Sequence, residues 1–165
     1  MRPSTLGRDA FVARYGAVYE ASPWVAEAVW PVAEVGALDD PDAMAEAMRA
    51  AVDGAPREAR LALIRAHPQL AVASNMAAAS VEEQRGAGLD RCSPDELAAF
   101  QRLNAAYLAR FGFPFIIAVK GLSRADILAA FAARLENDAE AEFATAIDQI
   151  HRIAGFRIAA LLTPG

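Results

Sequence analysis

The sequence predicts an all-α protein, a multihelical single-domain bundle with one buried extended segment. Three observations carry that expectation. About a quarter of the 165 residues are alanine, the strongest helix former. Proline and glycine divide the chain into pieces of helical length, several of them headed by a capping side chain. Within the longer pieces, apolar residues recur at three- and four-residue spacing instead of alternating. A chain of this length fits one hydrophobic core, so residues 1–165 are read as one domain.

The elements follow in order. Ser22-Pro23 and Asp40-Pro41 each place a side-chain acceptor at the N-cap and a proline at the first helical position, where its missing N–H costs nothing. They predict helices near 23–29 and 41–52. Pro56 opens another segment, with Leu61, Leu63 and Ile64 on one side. That helix must end at His67, because Pro68 disfavours helical geometry in the residue before it. From Pro68 to Ala79 the chain is alanine-rich and weakly patterned, compatible with a loop, a short helix or both. Ser93-Pro94-Asp95-Glu96 combines an N-cap, an N1 proline and the glutamate of a capping box. Leu97, Phe100, Leu103, Tyr107, Leu108 and Phe111 then form an apolar stripe, and Gly112 stops the helix.

Phe113 to Val119 is apolar without helical period, and Pro114 makes Phe113 extended, which predicts buried extended chain instead of a paired strand. Ser123 caps a helix carrying Ile127, Leu128, Phe131 and Leu135, ending near Asn137. The last helix runs from about Ala139 to Leu162. Its stripe is Phe143, Ile147, Ile150, Ala154, Ile158 and Leu161, and at about 100° per residue Arg157 falls inside it. The expected total is roughly seven or eight helices.

Composition removes several function classes. With 16 basic and 21 acidic residues the formal net charge is -5, so nothing here neutralises a phosphate backbone and nucleic acid is not expected as a partner. Every long apolar run is interrupted by Arg, Asp or Glu, so no membrane span is expected. Cys92 is the one cysteine and cannot form an intramolecular disulfide; no signal-peptide pattern opens the chain, and a reducing cytoplasm fits both. Two histidines, His67 and His151, without His-x-x-x-His or Cys-x-x-Cys spacing, give no metal-ligand pattern. No glycine-rich nucleotide loop is present. Pyridoxal phosphate would have to use Lys120, the one lysine, without a phosphate cradle. No cofactor is expected.

Four places could carry chemistry, each with a plain structural alternative. His67, between a helix end and a proline turn, is placed to act as a general acid or base, or is a surface histidine at a helix C-terminus. Ser80 and Glu83 match a capping box, yet a helix N-terminus with Gln84 beside it also offers polar groups to a ligand. Phe115, Ile116, Ile117, Ala118 and Val119 would offer unpaired backbone groups to a planar heterocycle, or form ordinary core. Arg157 needs a carboxylate such as Glu83 or an anionic ligand, unless it snorkels to solvent.

Five ordered blocks then resemble a known family. They are His67-Pro68-Gln69-Leu70-Ala71; Ser80-x-x-Glu83-Gln84-x-x-Ala87-Gly88-Leu89; Leu103-Asn104-x-x-Tyr107; Phe111-Gly112-Phe113-Pro114-Phe115-Ile116-x-Ala118-Val119-Lys120-Gly121; and Ile153-Ala154-x-x-Arg157. The chain resembles 2-oxo-4-hydroxy-4-carboxy-5-ureidoimidazoline decarboxylases from Leu6 to about Leu161. It departs from the family pattern at Gln69, where an acid is usual, and at Val72-Ala73, where a Gly-Lys or similar pair is usual.

The resemblance implies the last step of urate breakdown, a cofactor-free loss of CO₂ that yields (S)-allantoin, in a homodimer. It implies His67, Glu83 and Arg157 as catalytic residues, with Pro68, Ser80, Gln84 and Phe115 to Val119 binding substrate. Two other readings compete with it. One is a paralogous lyase or hydrolase for a related ureido compound; the other is a non-catalytic helical ligand-binding protein.

Overall fold

The computed structural model describes residues 1–71 and 78–162. Eight α-helices form among them: α1 Arg8–Tyr15, α2 Trp24–Ala33, α3 Pro41–Asp53, α4 Arg57–Ala66, α5 Ala78–Gly86, α6 Pro94–Phe111, α7 Arg124–Arg134 and α8 Ala139–Leu162. No strand occurs among the described residues. No helix there is long and apolar enough to cross a membrane. The chain folds as two compact units, Met1–Ala66 with the chain from Ile150 onward, and His67–Gln149.

In the first unit, α1 packs on α2 and α2 on α3. Met44, Met48 and Val52 lie one turn apart on α3 and are fully buried, each contributing about 1.5–3 kcal/mol of apolar burial. Asp40 caps α3 as expected, its carboxylate accepting from the N–H groups of Asp42 and Ala43 at 3.0 Å. The Ser22 cap does not form. Helix α2 begins one residue past Pro23, and the Ser22 hydroxyl instead donates to the Glu20 carbonyl at 2.9 Å.

In the second unit, the capping box at Ser93 and Glu96 is complete, and Gly112 ends α6 at φ 77°. Ser123 heads α7 with its own box, closed by Asp126. The Glu96 carboxylate also accepts from Arg124 Nε at 2.8 Å, while Arg124 Nη1 donates to the Gly88 carbonyl at 3.0 Å. Gly88 has a φ of 78°, a left-handed conformation, and a Cβ there would also press on Arg124 Nη1 at 2.8 Å and displace it from the Gly88 carbonyl. Only glycine fits both conditions without strain.

The capping box read at Ser80 and Glu83 is absent. Helix α5 starts at Ala78, which places Ser80 in its first turn and Glu83 in its interior. The local pattern matched a helix start with Val81 as its first residue, but the helix begins three residues earlier. Phe113 to Val119 forms no regular element and is buried except at half-buried Ile117, the extended core segment that the sequence predicted. The departures at Val72 and Ala73 lie outside the described residues.

Candidate active site

Helix α4 ends at Ala66, so His67 is the first residue beyond it, followed at once by Pro68. His67 is 7% exposed, which removes the surface-histidine alternative. The chain then turns sharply through Gln69 and Leu70 to Ala71, whose φ of 58° is a left-handed conformation that alanine rarely adopts. Side chains hold this turn. Gln84 Oε1 accepts from the Ala71 N–H at 3.0 Å and its Nε2 donates to the Gln69 carbonyl at 3.3 Å. Asn104 Nδ2 donates to the Leu70 carbonyl at 3.0 Å.

Ser80, Glu83 and Gln84 are three and four residues apart on α5 and share one face. Ser80 and Gln84 are buried and Glu83 is half-buried. Because Gln84 grips the turn, that face looks toward the peptide that follows His67. The structure therefore brings the turn after His67 and the polar face of α5 together. It also gives Gln84 a task that spacing did not reveal: its amide shapes the turn from both ends, whatever else it binds.

The extended segment is held by an ion network that the sequence analysis missed. Glu142 is fully buried and accepts from Arg134 Nε and Nη2 at 2.9–3.1 Å. Tyr107 donates its hydroxyl to Glu142 at 3.1 Å. Arg134 Nη1 donates to the Ile116 carbonyl, and its guanidinium lies 4.3 Å over the Phe115 ring. Phe115 in turn stacks on Phe131, centroid to centroid at 3.8 Å. The Ala118 N–H donates to Gln149 Oε1 at 2.9 Å. The expectation of unpaired backbone groups is thus corrected at Ile116 and Ala118, whose carbonyl and N–H are already taken. A buried carboxylate shared by Tyr and Arg fits the rule that interior charge must be paired.

A signal for Glu142 was present. It lies on the row Glu142, Ala146, Ile150, Ala154, Ile158, one helical turn per step, and every other member is buried. A carboxylate on that row demands a cation as surely as Arg157 demands an anion.

Arg157 does not snorkel. It is 8% exposed, and its Nη1 donates to Glu20 Oε2 at 3.0 Å and to the Ala17 and Val18 carbonyls at 3.3 Å. Glu20, itself 7% exposed, is the carboxylate partner that the sequence reading did not name.

His151, the second histidine, is also enclosed. Its Nε2 lies 2.9 Å from Asp53 Oδ1 and its Nδ1 2.7 Å from the Tyr19 hydroxyl. With the proton assigned to Nε2, the ring donates to Asp53 and accepts from Tyr19. A cavity of about 300 Å³ beside it is lined by Asp42, Ala45, Glu46, Arg49, His151 and Arg152, none of which was assigned to chemistry. Among the described residues no cluster of three or more His, Cys, Asp or Glu side chains is placed to hold a metal.

These features define an all-helical protein with a buried, turn-mounted histidine beside a polar helix face. Residues 4–159 match the family described as OHCU decarboxylase, and the chain belongs to that family. It is 43% identical over 154 residues to a 2-oxo-4-hydroxy-4-carboxy-5-ureidoimidazoline decarboxylase of Haloferax volcanii, covering 93% of this chain and 90% of that protein. Among solved structures, one described as (S)-allantoin synthase superposes with a TM-score of 0.79 at 31% identity. The match covers 96% of this chain, which spans about half, 52%, of that longer one. An OHCU decarboxylase solved in the presence of (S)-allantoin superposes with a TM-score of 0.65 at 26% identity, covering 75% of this chain and 82% of that one.

Proposed function

We propose that this protein removes CO₂ from 2-oxo-4-hydroxy-4-carboxy-5-ureidoimidazoline to give (S)-allantoin, as a step of urate breakdown. The observation that carries the reading is a buried His67 on a side-chain-clamped turn within a chain that matches the family over residues 4–159. The match runs through both compact units, and in this proposal the chain acts as one functional domain.

The chemistry needs no external electron acceptor. When the bond to CO₂ breaks, its electron pair spreads into the adjacent imine or carbonyl of the ring, so the substrate is its own electron sink. Starting from the carboxylate, one CO₂ leaves, the ring nitrogen that receives the electron pair takes up one proton from solvent, and the hydroxyl proton moves to the adjacent ring carbon as the hydroxyl becomes a carbonyl. In this proposal His67 moves the proton, accepting from the substrate hydroxyl and returning it to carbon, a role worth about 10²–10⁴-fold. Glu83 orients and polarises His67. Pro68 fixes the direction from which the imidazole enters, and Ser80 and Gln84 hydrogen-bond the ureido and ring amides.

Phe115, Ile116, Ile117, Ala118 and Val119 supply the apolar wall that keeps the reacting carbon dry. Arg157 meets the oxygen that becomes anionic as CO₂ departs. The further elements of the reading are that no cofactor takes part, that the protein acts in the cytoplasm, and that two copies form a homodimer. Light scattering at micromolar concentration tests the last.

The main experiment incubates purified protein with freshly generated substrate and follows (S)-allantoin by circular dichroism. Enantiopure product from the wild type, nearly absent with a folded His67→Asn variant, supports the reading. Wild-type turnover by that variant would remove His67 from the mechanism. The half-buried, non-acidic Gln69 favours one second reading, a preference for a related ureido acid. Faster turnover of such a compound in a substrate panel would establish it.

A further inference from the structure

We propose that Asn104 is a positioning residue for His67, acting through the Leu70 carbonyl. The inference rests on the reading of His67 as the acid/base and deepens it.

Three backbone groups within two consecutive peptides of the turn are satisfied by side chains: Gln84 takes the Gln69 carbonyl and the Ala71 N–H, and Asn104 takes the Leu70 carbonyl. In ordinary secondary structure such groups pair with other backbone, and the fold itself sets their geometry. Here the side chains of α5 and α6 set it. Pro68 has a fixed φ, which removes one of the few rotations between His67 and the clamped peptides.

Two costly features show that the turn is held to one shape. Ala71 sits at φ 58°, where a Cβ is strained. Asn104 is 4% exposed, and its Oδ1 is buried with no hydrogen-bond partner among the described residues. Leucine would fill the same volume without an orphaned acceptor, so space-filling does not account for asparagine. The Nδ2 donor does, because among the described residues it is what pairs the carbonyl of buried Leu70 beside the site.

Asn104→Leu tests the proposal, with Asn104→Thr, which keeps a hydroxyl donor, as the milder variant should the first not fold. The chain has two histidines, so the imidazole Cε1–H resonances are assigned by comparison with His67→Asn. Well below the melting temperature, Asn104→Leu should lower kcat by about 10- to 10²-fold with KM nearly unchanged. The His67 resonance should shift or broaden while that of His151 stays in place, and Asn104→Thr should fall between. A loss of melting temperature alone would mark Asn104 as merely structural and overturn the proposal. So would a fall in kcat with an unmoved His67 resonance, or a moved resonance with wild-type kcat. If the wild type itself fails to decarboxylate the substrate, the functional reading falls, and the resonance comparison still decides whether Asn104 sets the His67 environment.

Discussion

Arg157 Nη1 and Glu20 Oε2 lie 3.0 Å apart, with side chains 7% and 8% exposed. Two charges so enclosed are stable only together: removing one leaves the other buried and unpaired, at about 3–5 kcal/mol. Glu20→Gln should therefore lower the melting temperature by roughly 10 °C, taking about 2–4 °C per kcal/mol for a chain of this size. Thermal denaturation followed by circular dichroism checks it. Arg157→Lys keeps the charge but loses the planar fork. If Arg157 meets the developing oxyanion, that variant lowers kcat with KM nearly unchanged, whereas a rise in KM alone would assign it to binding the substrate carboxylate.

Phe115 is a second point of leverage. Its ring stacks on Phe131 and lies under the Arg134 guanidinium. Phe115→Ala should cost about 3–5 kcal/mol, toward the upper end because it also uncovers one side of the Arg134 guanidinium that pairs with Glu142. Denaturant unfolding measures this directly. A cost below about 1 kcal/mol would mean that the segment collapses to refill the space.

Tyr19 and Tyr107 give the protein an alkaline limit. Burial pushes both hydroxyls well above their ordinary value, opposed for Tyr19 by Arg49 and reinforced by Asp53, and opposed for Tyr107 by Arg134 and reinforced by Glu142. In the unfolded chain both ionise near pH ~10. Above that pH the unfolded state has lost protons that the folded state keeps, so the free energy of unfolding falls as pH rises. The contribution is whole below about pH 10 and is lost as the pH climbs toward the folded values. Phenolate absorbance from these two tyrosines should appear together with the loss of helical dichroism. Ionisation of both near pH ~10 in an intact fold would contradict the burial argument.

How much of this was legible depended on range. The caps at Asp40, Ser93 and Ser123 were readable because each is completed within four residues, the cap side chain accepting from a backbone N–H two or three residues on. At Ser22 and Ser80 the same short patterns appear, but α2 begins one residue later and α5 three residues earlier than those patterns place them. Arg157 could be flagged from periodicity alone. Its partner could not, because Glu20 is 137 residues away and no local spacing encodes such a meeting. The clamps at Gln84 and Asn104 were hidden for a related reason: they bind backbone atoms, whose positions in a non-repeating turn leave no trace in residue type.

Glu83 separates the catalytic and structural accounts of α5 most cleanly. Had it been the third residue of a capped helix, Glu83→Gln would preserve the cap, since glutamine serves there as well. Helix α5 begins at Ala78, so Glu83 is an interior residue, where glutamate and glutamine have nearly equal helix propensity. Stability should therefore change by no more than about 0.5 kcal/mol. The consequences for chemistry are larger if Glu83 polarises His67. A carboxylate near an imidazole stabilises the protonated ring, and neutralising it lowers the ring's proton affinity. The acid limb of the kcat/KM profile, where His67 must lose its proton to begin the cycle, should then shift to lower pH, while kcat falls by about 10²-fold or more because the ring is no longer held in one orientation. Measuring the profile and the melting curve on the same preparation decides the matter. Unchanged melting with a shifted limb and reduced kcat assigns Glu83 to the mechanism, and a wild-type profile would leave it an ordinary half-buried helix residue.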